Sequence, residues 1–298
     1  MSVWSLLARE IATVTGEPFA IARQRSVGGG SINAAYRIDG DPAQGSDRVY
    51  FIKLGNLAAV DMYAAEAAGL QEMHATHAIR VPQPVCWGTL DSSAYVVMEF
   101  IDLGRGRSDS ATRLGQHLAA MHRHESDRFG WHRHNTIGST PQVNSPSHDW
   151  IEFYREHRLQ FQLRLARRQG YDGGWMQDAE RLCDRLPALF SSYQPTASLL
   201  HGDLWSGNYG YDPAGQPVIF DPATYYGDRE TDMAMTELFG GFPAEFYRAY
   251  NQAYPLDSGY ELRRPLYKLY HLLNHLNLFG SGYMGQVQRA VAQCLTSI

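Results

Sequence analysis

The segment LLHGDLWSGNYGYD, residues 199–212, restricts the fold of this chain more than any other stretch. It joins an apolar run to a carboxylate, Asp203, and an amide follows five residues later at Asn208. A tight turn at DPAGQ and a second apolar run, PVIF, then lead to Asp221. We interpret these segments as a hairpin with three oxygen-bearing side chains around it. Asp, Asn and Gly also form ordinary structural turns, so this alternative stays open for the motif alone.

These three side chains are the groups that phosphoryl transfer requires. The reaction needs a carboxylate that orients the attacking hydroxyl and accepts its proton, and hard oxygen ligands for the Mg²⁺ that bridges the phosphates. An Asp and an Asn five residues apart, with a second Asp after an apolar strand, match the kinase arrangement. The motif therefore predicts a kinase-like site.

An unusual lysine lies upstream of this motif. Of 26 cationic side chains only two are lysines, Lys53 and Lys268. Lys268 lies in a helical pattern and is expected to be solvated, whereas Lys53 lies in RVYFIKLG, a strand-like run of β-branched and aromatic residues. A glycine loop, VGGGSIN, precedes Lys53, and Glu66 follows on a predicted helix. Alone, the loop is explained by a flexible hairpin and Glu66 by a solvated helix position. Taken together, and in this order along the chain, the glycine loop, the strand lysine and the helix glutamate predict a nucleotide site.

The order of secondary structure predicts an α+β chain with two parts. Residues 1–101 read as an amphipathic first helix (Trp4, Leu7, Ile11 and Val14 at helical spacing), then a small, mostly antiparallel sheet with one Ala-rich helix. Residues 102–298 read as mainly helical, with predicted helices at 109–124, 148–169, 175–190 and most of 230–296. We expect a bilobal, protein-kinase-like fold with the boundary near residues 99–108.

Composition excludes several classes of partner. The net charge of −5 gives no reason to expect nucleic-acid or membrane-surface binding. No apolar run approaches the roughly 20 residues of a membrane span, and the N-terminus does not resemble a signal peptide. Cys86, Cys183 and Cys294 have no metal-like spacing, so they read as core thiols of a cytoplasmic protein.

The segment after Asp221 predicts a small acceptor. In protein kinases a long peptide-binding segment follows the corresponding Asp, but here a helical pattern begins within about ten residues. Gly202 stands where an Arg that pairs with a phosphorylated segment would be expected, and there is no Ala-Pro-Glu signature. We therefore expect a small-molecule hydroxyl as the phosphoryl acceptor.

Four segments resemble the fructosamine kinase (ketosamine-3-kinase) family, a branch of the aminoglycoside- and choline-kinase-like fold. They are GGGSINAAY, HGDLWSGN, DPATYYGDRETDMAMTELFGGFP and FGWHRHNTIGSTPQVNSPSHDWIEFYREHRL, so the resemblance covers nearly the whole chain. It implies ATP- and Mg²⁺-dependent phosphorylation of the sugar 3-hydroxyl of a small or protein-bound ketoamine. Elimination of the phosphate then frees the amine, which is deglycation. Resemblance to bacterial-type members favours ribulosamine or erythrulosamine over fructosamine.

The resemblance also implies roles for single residues. Asp203 would be the catalytic base, with Asn208 and Asp221 as metal ligands. Lys53 would hold the α- and β-phosphates, with Glu66 behind it. The remaining nucleotide contacts would come from two regions. A glycine loop would cover the phosphates, with Gly28, Gly29, Gly30, Ser31 and Asn33. The connection between the lobes would contact adenine through the Glu99 carbonyl and the Ile101 amide, with Met98 at the edge of the ring.

Three further residues have two interpretations each. Trp205 could pack its face against a sugar or could support the loop from the core. Asp232 could cap its helix or reach back to fix the backbone of the catalytic loop, and we favour the second. His201 could pass for a base, but we expect it to bond backbone and pack. The histidines of MHRHESDRFGWHRH, at positions 122, 124, 132 and 134, are expected to lie in a polar surface loop rather than to bind metal.

Two alternatives to a ketoamine kinase remain at this stage. One is another small-molecule kinase with an aminoglycoside or choline-like acceptor. The other is a pseudokinase that binds nucleotide without catalysis, which the presence of all five polar groups disfavours. In either case we expect a monomer.

Overall fold

The structure is a computed structural model that describes residues 2–28 and 34–298. The predictions for Gly29, Gly30, Ser31 and Asn33 therefore lie outside the described residues. The N-terminal lobe is built on a sheet of five antiparallel strands in the order β1-β2-β3-β5-β4. The elements of this lobe are α1 (Val3–Thr15), β1 (Ile21–Val27), β2 (Ala34–Gly40), β3 (Val49–Asn56), α2 (Val60–Ala75), β4 (Pro84–Leu90) and β5 (Ser93–Glu99).

The two faces of this sheet have different partners because side chains alternate along a strand. Ile52 of β3 and Val97 of β5 are fully buried on the face that carries α1. Val96 points the other way and packs with α2. Lys53 pairs with Val96 in the ladder and so shares its face. Alternation thus directs the lysine toward α2, where Glu66 lies. Both predicted helices pack on the sheet, α1 on one face and α2 on the other.

The C-terminal lobe is mainly helical, as predicted. Its helices are α3 (Ser110–Met121), α4 (Trp150–Tyr154), α5 (Phe161–Arg168), α6 (Gly174–Arg185), α7 (Glu230–Thr236), α8 (Ala244–Ala253), α9 (Tyr260–Phe279) and α10 (Met284–Thr296). The predicted helix at 148–169 contains a π-helical segment, Arg155–Gln160, between α4 and α5. The long region 230–296 divides into four helices. Pro243 is the N-cap of α8, and Gly280 ends α9 at φ 93°.

Three short antiparallel pairs surround the functional region of this lobe. Their strands are β6 (Asn135–Ile137), β7 (Thr140–Gln142), β8 (Ser198–Leu200), β9 (Tyr209–Tyr211), β10 (Pro217–Ile219) and β11 (Tyr225–Gly227). The pairs are β6 with β7, β8 with β11, and β9 with β10. The last pair is the hairpin predicted from the sequence. Asp212 shapes its turn, since one carboxylate oxygen accepts N–H bonds from Ala214 and Gln216, each at 2.9 Å.

Three predictions about single positions are wrong. Val14 is 55% exposed and does not join the buried stripe of α1. His122 is fully buried at the end of α3, because its ring bonds two other buried side chains. Lys268 is half-buried, and its Nζ lies 2.9 Å from an oxygen of Glu237.

The expectation of core thiols is confirmed, since Cys86, Cys183 and Cys294 are all free and buried. Within residues 2–28 and 34–298, no helix has the length and apolar character needed to cross a membrane.

Candidate active site

The predicted catalytic loop begins where β8 ends and is held in an unusual backbone shape. Gly202 has φ 83°, a left-handed conformation that favours glycine. A Cβ at this position would lie 2.1 Å from the carbonyl oxygen of Ala223. The loop therefore passes directly over the segment that follows Asp221, and a side chain at position 202 is excluded by contact. This contact explains the Gly in place of the Arg found in protein kinases.

A buried carboxylate, itself bonded by a buried histidine, holds the backbone of this loop. The carboxylate of Asp232, on α7, accepts the N–H of His201 at 2.7 Å and that of Gly202 at 2.9 Å. His122 approaches the same carboxylate with Nε2 at 3.1 Å. Burial alone would raise the pKa of Asp232, but the bonds from His122 and the loop hold it below its usual range. Asp232 is therefore a buried anion that receives donors from two elements.

The side chain of His201 is buried and does not line the cleft. Its Nε2 lies 2.9 Å from the carbonyl oxygen of Phe220, which can only accept, so Nε2 carries the proton. Its Nδ1 then accepts the N–H of Asp203 at 3.3 Å. Burial lowers the pKa of His201, which keeps the ring neutral. Both ring nitrogens form hydrogen bonds with backbone groups, so the ring positions the loop.

The three polar groups of the motif converge at the open end of the hairpin. Asn208 donates from Nδ2 to the carbonyl oxygen of Asp203 at 2.8 Å, and the same nitrogen lies 3.4 Å from the Asp203 carboxylate. Phe220 donates its N–H to the carbonyl of Asn208 at 3.0 Å, which continues the hairpin to Asp221. Asp221 has φ 58°, a left-handed conformation that is uncommon outside glycine. The hairpin thus places both aspartates beside one amide.

Asp203 lies in surroundings that favour its protonated form. Burial raises its pKa to about 7, and the negative charges of Asp221 and Asp232 add to that rise. The bond from Asn208 opposes it. A carboxyl group with a pKa near 7 can both accept and release a proton at neutral pH, which is the property of a general base.

Lys53 joins the two lobes through ion pairs. Its Nζ lies 2.6 Å from Oε1 of Glu66 and 2.8 Å from Oδ1 of Asp221. Burial would lower the pKa of the lysine, but Asp221 and Glu66 raise it above its usual value, so the ammonium stays charged. Asp221 is 45% exposed, whereas Glu66 is nearly buried at 9%. The exposed side of this triad opens into a cleft between the lobes.

That cleft has a volume of about 820 Å³ and contains most of the residues singled out from the sequence. Besides the triad, Asp203 and Asn208, its walls include the predicted adenine and glycine-loop positions that the structure describes: Gly28, Met98, Glu99 and Ile101. Arg80 holds Glu99, with a nitrogen 2.7 Å from Oε1, and its other terminal nitrogen lies 2.9 Å from Asp212. Asp232 and His201 lie behind the wall.

The far end of the cleft contains Trp205 and residues that the sequence interpretation missed. Trp205 is 37% exposed, and a Cβ on Gly207 would meet its ring at 2.3 Å, so Gly207 makes room for the indole. The missed residues come from β6 and from the end of α9: Asn135, Thr136, Ile137, Asn274, His275, Leu278 and Phe279. Asn274 and His275 interrupt an apolar helical pattern, LYHLLNHLNLF, which is the signal that could have indicated them.

Side chains of the β6–β7 hairpin also hold the segment after Asp221. Asn135 donates to the carbonyl of Thr224 at 2.8 Å, and Gln142 donates to that of Ala223 at 3.1 Å. The buried guanidinium of Arg158 bonds Asn144 at 2.7 Å, and Asn144 in turn bonds Asn135 at 2.8 Å. No local sequence pattern indicates this network, because its members come from three separate elements.

The side chains present fit a magnesium ion at this site. Asp221 offers a carboxylate that is partly exposed to the cleft. The side-chain nitrogen of Asn208 donates a hydrogen bond to Asp203, so the side-chain oxygen is left to bind the metal ion. Mg²⁺ is commonly held by one or two protein oxygens together with substrate phosphates, and this donor set has that form.

Comparison with known proteins agrees with the geometry. The family model described as fructosamine kinase matches residues 3–297. A "Probable ketoamine kinase" of Synechocystis sp. is 49% identical over 98% of this chain and 97% of its own length. The chloroplastic protein-ribulosamine 3-kinase of Arabidopsis thaliana is 46% identical over 92% of this chain and 83% of its own.

Solved structures show the fold. A fructosamine-3-kinase candidate from Haemophilus somnus 129PT superposes with a TM-score of 0.88 at 26% identity, covering 99% of this chain and 100% of its own. An ADP-bound aminoglycoside phosphotransferase shares the fold at 12% identity, with a TM-score of 0.66, covering 99% of this chain and 97% of its own. The fold is thus the protein-kinase-like one. Because the family model matches almost the entire chain, the chain belongs to the fructosamine kinase family.

Proposed function

We propose that this protein transfers the γ-phosphoryl group of ATP to the 3-hydroxyl of a ribulosamine- or erythrulosamine-type ketoamine. The observation that carries the proposal is the convergence of Lys53, Asp203 and Asp221 at one cleft in a chain of the fructosamine kinase family. The identity of 46% to a protein-ribulosamine 3-kinase supports the choice of sugar. Loss of the phosphate from the product would free the amine and reverse glycation.

Asp203 would act as the general base of this reaction. It would orient the sugar hydroxyl and take its proton as the phosphorus–oxygen bond forms. The pKa of about 7 supports this role for the metal-free carboxyl group. His201 and Asp232 would keep the loop backbone fixed, so that the carboxylate meets the hydroxyl in a productive orientation.

Lys53 would neutralise the phosphates of bound ATP. Its Nζ would exchange the contact with Asp221 for phosphate oxygens, while Glu66 holds it from behind. Asp221 and Asn208 would hold Mg²⁺, which supplies positive charge at the transferring phosphoryl group when bound. Adenine would lie against Met98 and bond the chain at Glu99 and Ile101, and the glycine loop that starts at Gly28 would cover the phosphates.

The charges in the cleft argue against a polycationic acceptor. Among the described residues that line it, the acids are Glu66, Glu99, Asp203 and Asp221. Glu66 is paired with Lys53, and Glu99 with Arg80. Asp203 and Asp221 belong to the reaction itself, so no further carboxylate is left for an aminoglycoside. Trp205, half-exposed between base and metal ligand, would instead offer a flat face to an uncharged sugar chain.

A single substrate panel tests the proposal. ADP formation should be measured with MgATP and a ribulosamine, an erythrulosamine, a fructosamine, kanamycin or choline as acceptor. We expect turnover with the first two, slower turnover with the fructosamine and none with kanamycin or choline. The reaction should stop when Mg²⁺ is removed by EDTA. Turnover of kanamycin or choline without any ketoamine turnover would contradict the proposed function, and ATP binding without turnover of any acceptor would indicate a pseudokinase.

We also propose that the protein acts in the cytoplasm as a monomer. Free, buried Cys86, Cys183 and Cys294 agree with a reducing compartment.

A further inference from the structure

The rings of Trp205, His275 and Phe279 line the far end of the cleft and belong to a larger cluster of aromatic side chains. Phe239 lies 4.5 Å from His275, and Trp205 meets Phe239 edge-on at 6.4 Å, measured between ring centroids. His275 also contacts Phe279 at 5.4 Å and Tyr283 at 5.2 Å. We call these five residues the aromatic cluster. It extends from the catalytic loop to the end of α9, so it begins where the reacting hydroxyl must lie.

His275 offers this end of the cleft a hydrogen-bond acceptor. Its Nδ1 lies 2.8 Å from the carbonyl oxygen of His271, one helical turn earlier. A carbonyl can only accept, so Nδ1 carries the proton, and in the neutral ring Nε2 is left with a lone pair. Burial lowers the pKa of His275, which favours that neutral ring. Among the described residues Nε2 has no hydrogen-bond partner, and His275 lines the cleft.

A ketoamine brings a charge that this cleft must accommodate. Its substituted amine is protonated at neutral pH, and an unpaired ammonium is costly to remove from water. The four carboxylates that line the described part of the cleft are already engaged by Lys53, by Arg80 or by the reaction. Aromatic faces attract a cation, and the lone pair of a neutral imidazole can accept an N–H bond from an ammonium.

We infer that the aromatic cluster is the subsite for the protonated amine of the ketoamine, with its N–H donated to Nε2 of His275. This inference rests on the proposed function and deepens it by assigning a specificity-determining residue. Carbons C1 to C3 of the sugar would then lie between the ammonium and Asp203, with Trp205 beside them. The exposed ring of Phe279, at 53%, would meet the group attached to the amine. A quaternary ammonium such as choline has no N–H for His275, so the same contact would select against it.

The test compares a ketoamine with an analogue that has lost only the amine. The two acceptors are N-propyl ribulosamine and 1-O-propyl ribulose, in which an ether oxygen replaces the amine nitrogen. For each, kcat/KM is measured with the wild type, His275→Phe and His275→Gln. The control is His132→Gln, because His132 is 63% exposed and does not line the cleft. The KM for ATP is measured throughout.

We expect the wild type to prefer the amine, and His275→Phe to reduce the amine-to-ether ratio by about 10- to 100-fold, the range for a lost bond to a charged group. The loss should lie in the KM for the amine, with the KM for ATP unchanged. His275→Gln should retain part of the preference through its amide oxygen, and His132→Gln should match the wild type.

Other results would overturn the inference. An equal ratio in the wild type and His275→Phe would do so, as would a wild type that does not distinguish amine from ether. If His275→Phe fails to bind ATP, His275→Gln decides alone, and an unchanged ratio there contradicts the inference. Failure of the proposed function looks different, since the wild type would then turn over neither acceptor.

Discussion

At the scale of single residues, the site contains two aspartates whose surroundings shift their pKa in opposite directions. Asp203 has few hydrogen-bond donors and two negative neighbours, so its pKa is raised to about 7. Asp232 receives two backbone N–H groups and His122, so its pKa lies below the usual range. A poorly hydrated carboxylate with few donors can exchange protons near neutral pH, whereas one with three donors is a fixed anion. This difference separates a reacting group from a positioning one.

The same substitution at the two aspartates should therefore have different consequences. Asp203→Asn should lower kcat by roughly 10²–10⁴, the contribution of a general base. Its Tm should stay the same or rise, because repulsion with Asp221 is removed. Asp232→Asn should lower both kcat and Tm, since an amide cannot accept all three donors and buried N–H groups left unpaired cost about 1–3 kcal/mol each. Steady-state kinetics and thermal melts of both variants check this.

Two results would contradict the roles given to Asp203 and Asp232. If Asp203→Asn keeps its turnover within tenfold of the wild type, Asp203 is not the base. A normal Tm in Asp232→Asn would mean that the loop backbone does not depend on that carboxylate.

At the scale of elements, the helix α2, which carries Glu66, lies directly against the segment after Asp221. Gly69 allows this approach. A Cβ at position 69 would lie 2.4 Å from Oγ1 of Thr224, which is itself buried. Glycine has a low helix propensity, but at this interior position of α2 the close contact with Thr224 leaves no room for a larger side chain.

Gly69→Ala should destabilise the protein although alanine is the better helix former. In an unpacked helix the change would add about 0.5–1 kcal/mol of stability. Here we expect a lower Tm and a several-fold lower kcat, because the new methyl pushes α2 and its Glu66 away from Thr224. Both quantities should recover in large part in the double variant with Thr224→Ala. A Gly69→Ala protein with a raised Tm and unchanged kcat would show that the contact is not limiting.

At the scale of the whole molecule, Lys53 connects the sheet, α2 and the C-terminal lobe in one ion-paired triad. A nucleotide that binds between the lobes should therefore stabilise the folded protein as a whole. A ligand at 100 times its Kd adds about 2.7 kcal/mol to the free energy of unfolding. For a chain of this size that corresponds to a rise in Tm of about 5–10 °C.

Lys53→Arg should lose most of this stabilisation and most of the turnover, nearly as fully as Lys53→Met. A guanidinium is larger and planar, so it does not fit the space between Glu66, Asp221 and the phosphates. The measurement is the shift in Tm caused by Mg²⁺ and a non-hydrolysable ATP analogue in each variant, together with turnover.

The second lysine provides the matched control. Lys268→Arg should behave like the wild type, because an arginine can still pair with Glu237, as Arg264 already does at 3.3 Å. A Lys53→Arg enzyme with a wild-type shift in Tm would remove Lys53 from the nucleotide site.

The sequence by itself determined the features that depend on short segments. The β9–β10 hairpin follows from two apolar runs and a turn, and its open end brings Asn208 and Asp221 together whatever else the chain does. The five strands of the N-terminal sheet and the position of Lys53 on β3 follow from residue types and alternation. These features are local, so a window of ten to twenty residues contains their cause.

Only the tertiary structure decided which distant groups meet. The bond between Lys53 and Asp221 spans 168 positions, and that between His122 and Asp232 spans 110. His122 was expected on the surface because its neighbours are polar, yet α7 and α8 pack over it and supply partners for both nitrogens. His275 was missed because the polar positions within LYHLLNHLNLF do not show which face of α9 opens into the cleft. Burial and pKa depend on what other elements exclude water, and that exclusion exists only once the chain has folded.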